Sequence, residues 1–237
     1  MRSTELASNR VLIVGVGGIG VPAAIALMRG GVRDLVLIDP DDIELSNLPR
    51  QILFDEQDIG QPKAMVAARR LGQRYPDARL ETDRAEFDEC NGARLIAECD
   101  FVIDATDNPR AKFLINDRCV AAGRAFVYAG VLGTGGQAMT ILPGRTACLR
   151  CLFEEPPDEA EIASCREAGI IGPVAGAIGE AAAAEAIRAF RGAMPALAGT
   201  MLTYDAKAPG RTRLTAIAAR AGCACGAASA AREAGFK

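Results

Sequence analysis

The sequence predicts an α/β fold, a Rossmann-like doubly wound sheet with a parallel first half and a mixed, antiparallel second half. Three observations predict it. Short apolar runs alternate with helical patterns from residue 10 to residue 129. A glycine cluster, Gly15-Val16-Gly17-Gly18-Ile19-Gly20, stands between the first run and the first helical pattern. From Gly130 the alternation stops, and strand-like stretches follow without helices between them.

The elements read in order as follows. Arg10–Val14 is a buried strand, and Val21–Arg29 is a helix with Pro22 tolerated in its first turn. Asp34–Asp39 is a second buried strand, Gln61–Arg74 an amphipathic helix and Ala78–Thr82 a third strand. Cys99–Asp104 is the next strand, followed by a helix over Pro109–Ala122 and a strand over Ala125–Ala129. Gly133–Leu142 reads as a strand, and Glu154–Ser164, acidic and with two prolines, as a mobile loop. Ile171–Arg191 is a long helix rich in small residues, and Gly199–Tyr204 and Thr212–Ile217 are closing strands. The whole chain, 1–237, reads as a single domain: residues 10–129 as a nucleotide-binding half, 130–226 as a second half, and 227–237 as a tail.

Composition excludes several classes of function. The chain contains no histidine, which removes Ser-His-Asp and Cys-His hydrolases, HExxH metalloproteases and His-liganded metals. The net charge of -3 is spread along the chain, so no basic face points to nucleic acid. The polar start MRSTELASNR gives no secretory signal, and no apolar run reaches the ~18 residues of a membrane span. A cytoplasmic location is the expectation, and eight cysteines there are not read as a disulfide framework.

Glycines at 15, 17, 18 and 20 let the backbone turn sharply and approach a phosphate. The helix N-terminus behind them supplies oriented N–H groups. Asp39 ends the next strand, where a carboxylate accepts bonds from ribose hydroxyls. This pair fits an NAD-dependent dehydrogenase as well as any other nucleotide enzyme.

The residues that follow shift the reading toward ATP. Asp41, Asn47, Arg50 and Gln51 lie in one segment and Lys63 in the next, and a triphosphate uses such cations where a dehydrogenase has no evident need of them. Thr106-Asp107-Asn108 comes just past the C-terminal end of a strand, the edge where open α/β sheets bind ligands. Asp107 there can hold Mg²⁺ through one carboxylate and waters. Each residue alone also has a plainer role: Arg50 and Lys63 as solvated helix charges, Asp107 as a helix N-cap before Pro109.

The motifs IDPDDIELSNLPRQILF (38–54), DIGQPKA (58–64), DATDN (104–108), CLRCLF (148–153) and CREAGIIGPVAGAIG (165–179) occur in this order. The sequence thereby resembles the ThiF/MoeB/HesA family of activating enzymes from Arg10 to about Gly226. The resemblance implies that Gly15, Gly17, Gly18 and Gly20 line the nucleotide, that Asp39 binds ribose, and that Asn47, Arg50 and Lys63 bind phosphates. It implies that Asp107 binds Mg²⁺, with Asp41, Gln51 and Asn108 in the same nucleotide-contacting set. It further implies a homodimer that adenylates the C-terminal Gly-Gly of a ubiquitin-like sulfur carrier protein, with residues 130–226 as the carrier-binding and zinc half. An attacking carboxylate is already a nucleophile at neutral pH, so the absence of histidine is consistent with that chemistry. The competing readings are an NAD(P)-dependent oxidoreductase and a non-catalytic scaffold of the same fold.

Cys148 and Cys151 form a CxxC, and Cys223 and Cys225 a CxC. Four thiolates in two pairs can close a tetrahedral zinc site, the alternative being unliganded thiols. The family carries CxxC twice, so the second pair here is one residue short. In thiamine-pathway members a cysteine at the position of Cys165 links covalently to the carrier, whereas in molybdopterin-pathway members it is dispensable. For Cys165 an inert half-buried thiol is the other reading. Cys90, Cys99 and Cys119 read as small core residues. Many family members begin with an Arg-Tyr-x-Arg-Gln segment whose arginine reaches the partner subunit's ATP. The residues before Arg10 contain no such motif, and Arg2 is the one other arginine there. The expectation is also of a chain without the rhodanese domain that longer relatives append after this point.

Overall fold

A computed structural model describes residues 6–157, 169–208 and 212–226 of the chain. Its centre is one eight-stranded sheet. The strands are β1 (Arg10–Val14), β2 (Asp34–Ile38), β3 (Arg79–Asp83), β4 (Phe101–Asp104), β5 (Phe126–Leu132), β6 (Gly135–Ile141), β7 (Thr200–Asp205) and β8 (Arg213–Ala216). Their order across the sheet is β3-β2-β1-β4-β5-β6-β7-β8. The first five are parallel, and β6 to β8 join antiparallel. This is the doubly wound architecture with the expected change of strand direction after β5.

Side chains alternate across the sheet, and both faces are covered. Val11 and Ile13 of β1 enter one core, and Leu12 and Val14 the other. Leu35 and Leu37 of β2 are likewise separated from Val36 and Ile38. A strand buried on both faces has no polar side, which is why these strands read as continuous apolar runs. Full burial of each such side chain stabilises by about 1.5–3 kcal/mol. The first core is covered by α1 (Gly20–Gly30), α2 (Lys63–Arg74) and, further along the chain, the long α6 (Gly172–Phe190). The second lies under α3 (Gly92–Ala97), α4 (Pro109–Ala122) and the short α5 (Leu149–Leu152).

α6 packs on α1, where a Cβ at Gly179 would lie 3.0 Å from Pro22 Cβ and Ile187 fills the space over Gly30, while Ile178 lies against Gly136 of β6. Buried Glu185 fixes its far end: Oε2 accepts from Thr140 Oγ1 (2.6 Å) and Leu197 N (2.7 Å), and Oε1 from Ala196 N (3.0 Å). The helix is thereby tied to β6 and to the chain entering β7.

The observed bounds differ from the sequence reading where backbone donors decide them. Gln61 precedes a proline, which disfavours helical backbone there, and Pro62 itself is extended at ψ 127°, so α2 starts at Lys63 and not Gln61. β5 runs on to Leu132, and Gly133-Thr134 turns the chain into β6. Three-residue-per-turn helices at Leu45–Arg50 and Glu56–Asp58, and the short α3 and α5, give too few turns for an apolar periodicity to register. Among the described residues no helix is long and apolar enough to cross a membrane. The acidic loop 154–164 and the tail from 227 fall largely or wholly outside the described residues, as does Cys165.

Candidate active site at the C-terminal edge of the parallel strands

In strand order 3-2-1-4-5 the chain leaves β1 and β4 toward opposite faces, so a crevice opens above their C-terminal ends. The glycine loop closes one side of it. Gly15 adopts φ +92°, and its N–H donates to Ile38 O at 2.9 Å. A Cβ at Gly15 would lie 2.7 Å from Ala105 O, so only glycine lets the loop rest against the strand end that leads to Asp107.

Asp39 follows β2 and is buried. Its Oδ2 accepts from Val16 N at 2.6 Å and its Oδ1 from Asp41 N at 2.9 Å. Burial pushes this carboxyl above its ordinary range, opposed by the nearby Lys63 cation and the two backbone donors. Each oxygen keeps a further lone pair for another donor.

The segment after Asp39 folds back over the glycines. A Cβ at Gly17 would stand 3.6 Å from Gln51 Nε2, and one at Gly18 would stand 3.6 Å from Arg50 Cδ and Cγ. Gln51 is buried, and its Oε1 has no hydrogen-bond partner. A buried amide oxygen without a partner is costly, so this one marks a place for a donor from a ligand or its water. Arg50 Nη1 donates to Ser46 O (2.9 Å), and Asn47 is buried with its Nδ2 3.2 Å from Ser46 Oγ. Lys63 begins α2 with its side chain 8% exposed, and its Nζ bonds Asp41 Oδ2 at 2.7 Å. Lys63 is therefore a directed cation of the wall and not the solvated charge that sequence alone allowed.

Past β4, Asp107 is exposed at the strand's ligand edge. It is not the helix cap. Asn108 is, with its Oδ1 accepting from Arg110 N at 2.9 Å and Pro109 in the first turn. Capping accounts for Asn108, and Asp107 remains available at the crevice. Sequence reasoning gave no role to Asp104 and Lys112, which stand with Thr106 behind this turn. Asp104 Oδ1 accepts from Thr106 N (3.1 Å), Thr106 Oγ1 (2.8 Å) and Lys112 Nζ (3.1 Å). The available signal was the spacing of Lys112 with Ile115, Asn116 and Cys119, which puts a cation on the inward face of α4.

Glycines 15, 17, 18 and 20, Asp39, Asp41, Asn47, Arg50, Gln51, Lys63, Asp107 and Asn108 thus lie in the connections that leave the C-terminal ends of β1, β2 and β4. The donor set fits a nucleotide with its phosphates: an N-terminal helix turn, an arginine fork, a lysine and amides.

Beside the C-terminal half of α4, the sulfurs of Cys148, Cys151, Cys223 and Cys225 all lie within 4.8 Å of one another. Cys148–Cys223 is 3.7 Å and Cys151–Cys225 is 3.5 Å. A tetrahedron of ~2.3 Å metal–sulfur bonds has sulfur–sulfur edges of about 3.8 Å, so the four thiols have the shape of a metal site. The one-residue CxC spacer does not spread its pair: a turn at Cys223 and Gly226 brings both sulfurs inward. Cys99 and Cys119 are core residues as expected, whereas Cys90 is exposed in a turn and is not. Its turn is built by Asp88, whose carboxylate accepts from the backbone N–H groups of Cys90 and Asn91, and this holds the chain at the surface.

The ThiF family model matches residues 2–225. The ThiS sulfur carrier protein adenylyltransferase of Escherichia coli is 39% identical over 228 residues, covering 95% of this chain and 89% of that one. The SAMP-activating enzyme E1 of Haloferax volcanii is 38% identical over 202 residues, covering 85% and 74%. The sulfur carrier protein adenylyltransferase of Thermus thermophilus is 36% identical over 210 residues, covering 86% and 78%. A crystal structure of E. coli MccB with AMPCPP and MccA shares the fold with a TM-score of 0.82 at 24% identity, covering 94% of this chain and 68% of that one. The chain belongs to the ThiF family and is an adenylyltransferase of the E1-like activating type.

Proposed function

We propose that this enzyme uses ATP and Mg²⁺ to adenylate the C-terminal Gly-Gly carboxylate of a ubiquitin-like sulfur carrier protein, releasing pyrophosphate. The observation that carries the reading is the convergence of the glycine loop, Asp39, Arg50, Gln51 and Lys63 on one crevice beside Asp107. Relatives with 36–39% identity are named for carrier adenylation, which supports the carrier as substrate.

The ribose belongs beside Asp39 and the phosphates at the helix N-terminus, with Asn47, Arg50 and Lys63 around them. The carrier carboxylate attacks the α-phosphorus, a P–O bond forms to the carboxylate oxygen, and the bond to pyrophosphate breaks. No side chain has to take a proton. The chain's part is to hold the ends in line and to neutralise charge that moves onto pyrophosphate. Asp107 would hold Mg²⁺, which supplies further neutralisation of the phosphate oxygens. The half-exposed strands β7 and β8 belong to the half assigned to carrier binding. We assign zinc to the four-cysteine cluster, and a homodimer to the working enzyme. Retention of Arg50, Lys63 and Asp107 argues against a non-catalytic scaffold.

The test is ATP–pyrophosphate exchange with candidate carriers, each also supplied without its two terminal glycines. Exchange should need the intact carrier and vanish in Asp107→Ala. ATP with Mg²⁺, and not NAD⁺, should raise the melting temperature. Stabilisation by NAD⁺ alone, or exchange in Asp107→Ala close to that of the parent enzyme, would overturn the reading.

A further inference from the structure

We propose that Lys112, buried behind the turn that presents Asp107, is a positioning residue for metal–nucleotide binding and acts through the carboxylate of Asp104. The proposal rests on the assignment of Asp107 to Mg²⁺.

Lys112 sits one turn into α4, its backbone N–H donating to Asn108 O at 3.1 Å. Its side chain is buried, yet it is a cation, and its polar interactions are directed at the sheet beneath α4. Nζ reaches Asp104 Oδ1 at the end of β4 (3.1 Å) and Ala129 O of β5 (2.6 Å), and it stands 5.0 Å from the centre of the Tyr128 ring. A leucine or methionine would fill this volume without the cost of desolvating a charge. What the ammonium adds is a fixed orientation for Asp104.

That orientation governs the turn. Asp104 is fully buried, and its Oδ2 has no hydrogen-bond partner, so Oδ1 alone anchors the carboxylate. The same oxygen receives both Thr106 N and Thr106 Oγ1. Thr106 is thereby pinned on one side of Asp107, and the Asn108 cap pins the other. Ala105 O, between Asp104 and Thr106, is pressed against Gly15. Lys112 and Asp104, both buried, therefore set the distance between Asp107 and the phosphate loop from behind the turn. Loss of such an outer partner characteristically weakens metal affinity by about 10–100-fold.

The experiment compares Lys112→Met, Lys112→Arg and the charge-neutral pair Asp104→Asn/Lys112→Met in the full chain. It reads the Mg²⁺ dependence of pyrophosphate exchange and, without carrier, the part of the ATP-induced thermal shift that requires Mg²⁺. The expected result is a half-saturating Mg²⁺ concentration raised about tenfold or more in the neutral variants. Their Mg²⁺-dependent thermal shift should be lost, with ATP still bound, and Lys112→Arg should restore both. Where Lys112→Met fails to fold because Asp104 is left buried and unpaired, the double variant carries the test. A folded double variant with the parent Mg²⁺ dependence overturns the proposal. Failure of both neutral variants to fold also overturns it, because the pair would then be a requirement of the fold. Asp107→Ala runs in parallel: if it keeps its Mg²⁺ dependence, the assignment of Asp107 fails, independently of Lys112.

Discussion

Lys63 Nζ lies 2.7 Å from Asp41 Oδ2, and the two residues are also joined through Lys63 N and Asp41 O at 3.0 Å. The pair is unequal, because the lysine side chain is 8% exposed and the aspartate 63%. The ammonium is thus fixed in the crevice wall by packing, while its anion faces solvent. A phosphate entering the crevice can take the place of Asp41, because the displaced carboxylate already faces solvent while the ammonium stays in place.

Lys63→Met should therefore separate catalysis from stability. The methionine keeps the packing of the stem and removes the charge. Adenylation should fall by about a hundredfold or more, the scale seen when one preorganised donor is removed. The melting temperature without nucleotide should move by no more than a few degrees. Asp41→Asn should retain most of the activity. The two variants are compared by pyrophosphate exchange and thermal unfolding, and near-parent exchange in Lys63→Met would remove Lys63 from the site.

Arg50 gives a second, chemical test. Its stem lies over the glycine loop, with Cγ and Cδ 3.6 Å from the Cβ position of Gly18, and one guanidinium nitrogen is held by Ser46 O. A planar fork held in this way matches two phosphate oxygens, and a lysine cannot reproduce it. Arg50→Lys should lose about tenfold or more in kcat/KM for ATP, roughly 1.4 kcal/mol at the transition state. Steady-state kinetics at saturating carrier would detect it.

Much of this site was legible in the sequence, because its residues sit in contiguous motifs at the ends of strands. The glycine loop, Asp39 and Asp107 each follow an apolar run whose alternation with helices is visible without coordinates, and Arg50 and Lys63 lie in motifs of the segment after Asp39. What stayed hidden was long-range or short. Lys112 meets Ala129 across two elements, and no local pattern announces that contact. The choice of Asn108 over Asp107 as the cap depends on the backbone angle at one residue. The CxC pair could be judged only once Cys148, 75 residues away, was placed against Cys223.

Gly15→Ala should damage the fold and the site together. At φ +92° a side chain is strained by roughly 1–2 kcal/mol, and the added Cβ would press on a backbone oxygen at 2.7 Å. Gly60 is the control: its φ is +81°, but nothing lies within 4 Å of its Cβ position. Gly60→Ala should show the strain alone, a fall in melting temperature of roughly 2–8 °C at about 2–4 °C per kcal/mol. Gly15→Ala should fall further and lose the ATP-induced thermal shift, which Gly60→Ala keeps. Equal behaviour of the two would mean that the contact with Ala105 is relieved without cost.

The four-cysteine cluster should hold one zinc per chain and should fasten the C-terminal segment. Among the described residues three other bonds hold it: Gly144 N donates to Cys225 O at 2.9 Å, Arg220 N donates to Cys151 Sγ at 3.3 Å, and Arg220 pairs with Glu154. A metal joining Cys148 to Cys223 closes a loop of 75 residues. Closing a loop of that size is worth about 4 kcal/mol in the chain-entropy view, or roughly 8–16 °C at 2–4 °C per kcal/mol. Cys225→Ser should lose the metal and melt lower by about that amount under reducing conditions, where no disulfide can substitute. The cluster lies beside Asn116 to Ala121 in the C-terminal half of α4, whereas Asp107 precedes the N-terminus of that helix, so ATP should still stabilise the variant. Elemental analysis of freshly purified reduced protein gives the stoichiometry, and substitution by cobalt should produce the visible absorption of a tetrahedral thiolate site. Parent protein without metal, or Cys225→Ser with unchanged metal content and melting temperature, would show that the four thiols lie together without binding an ion.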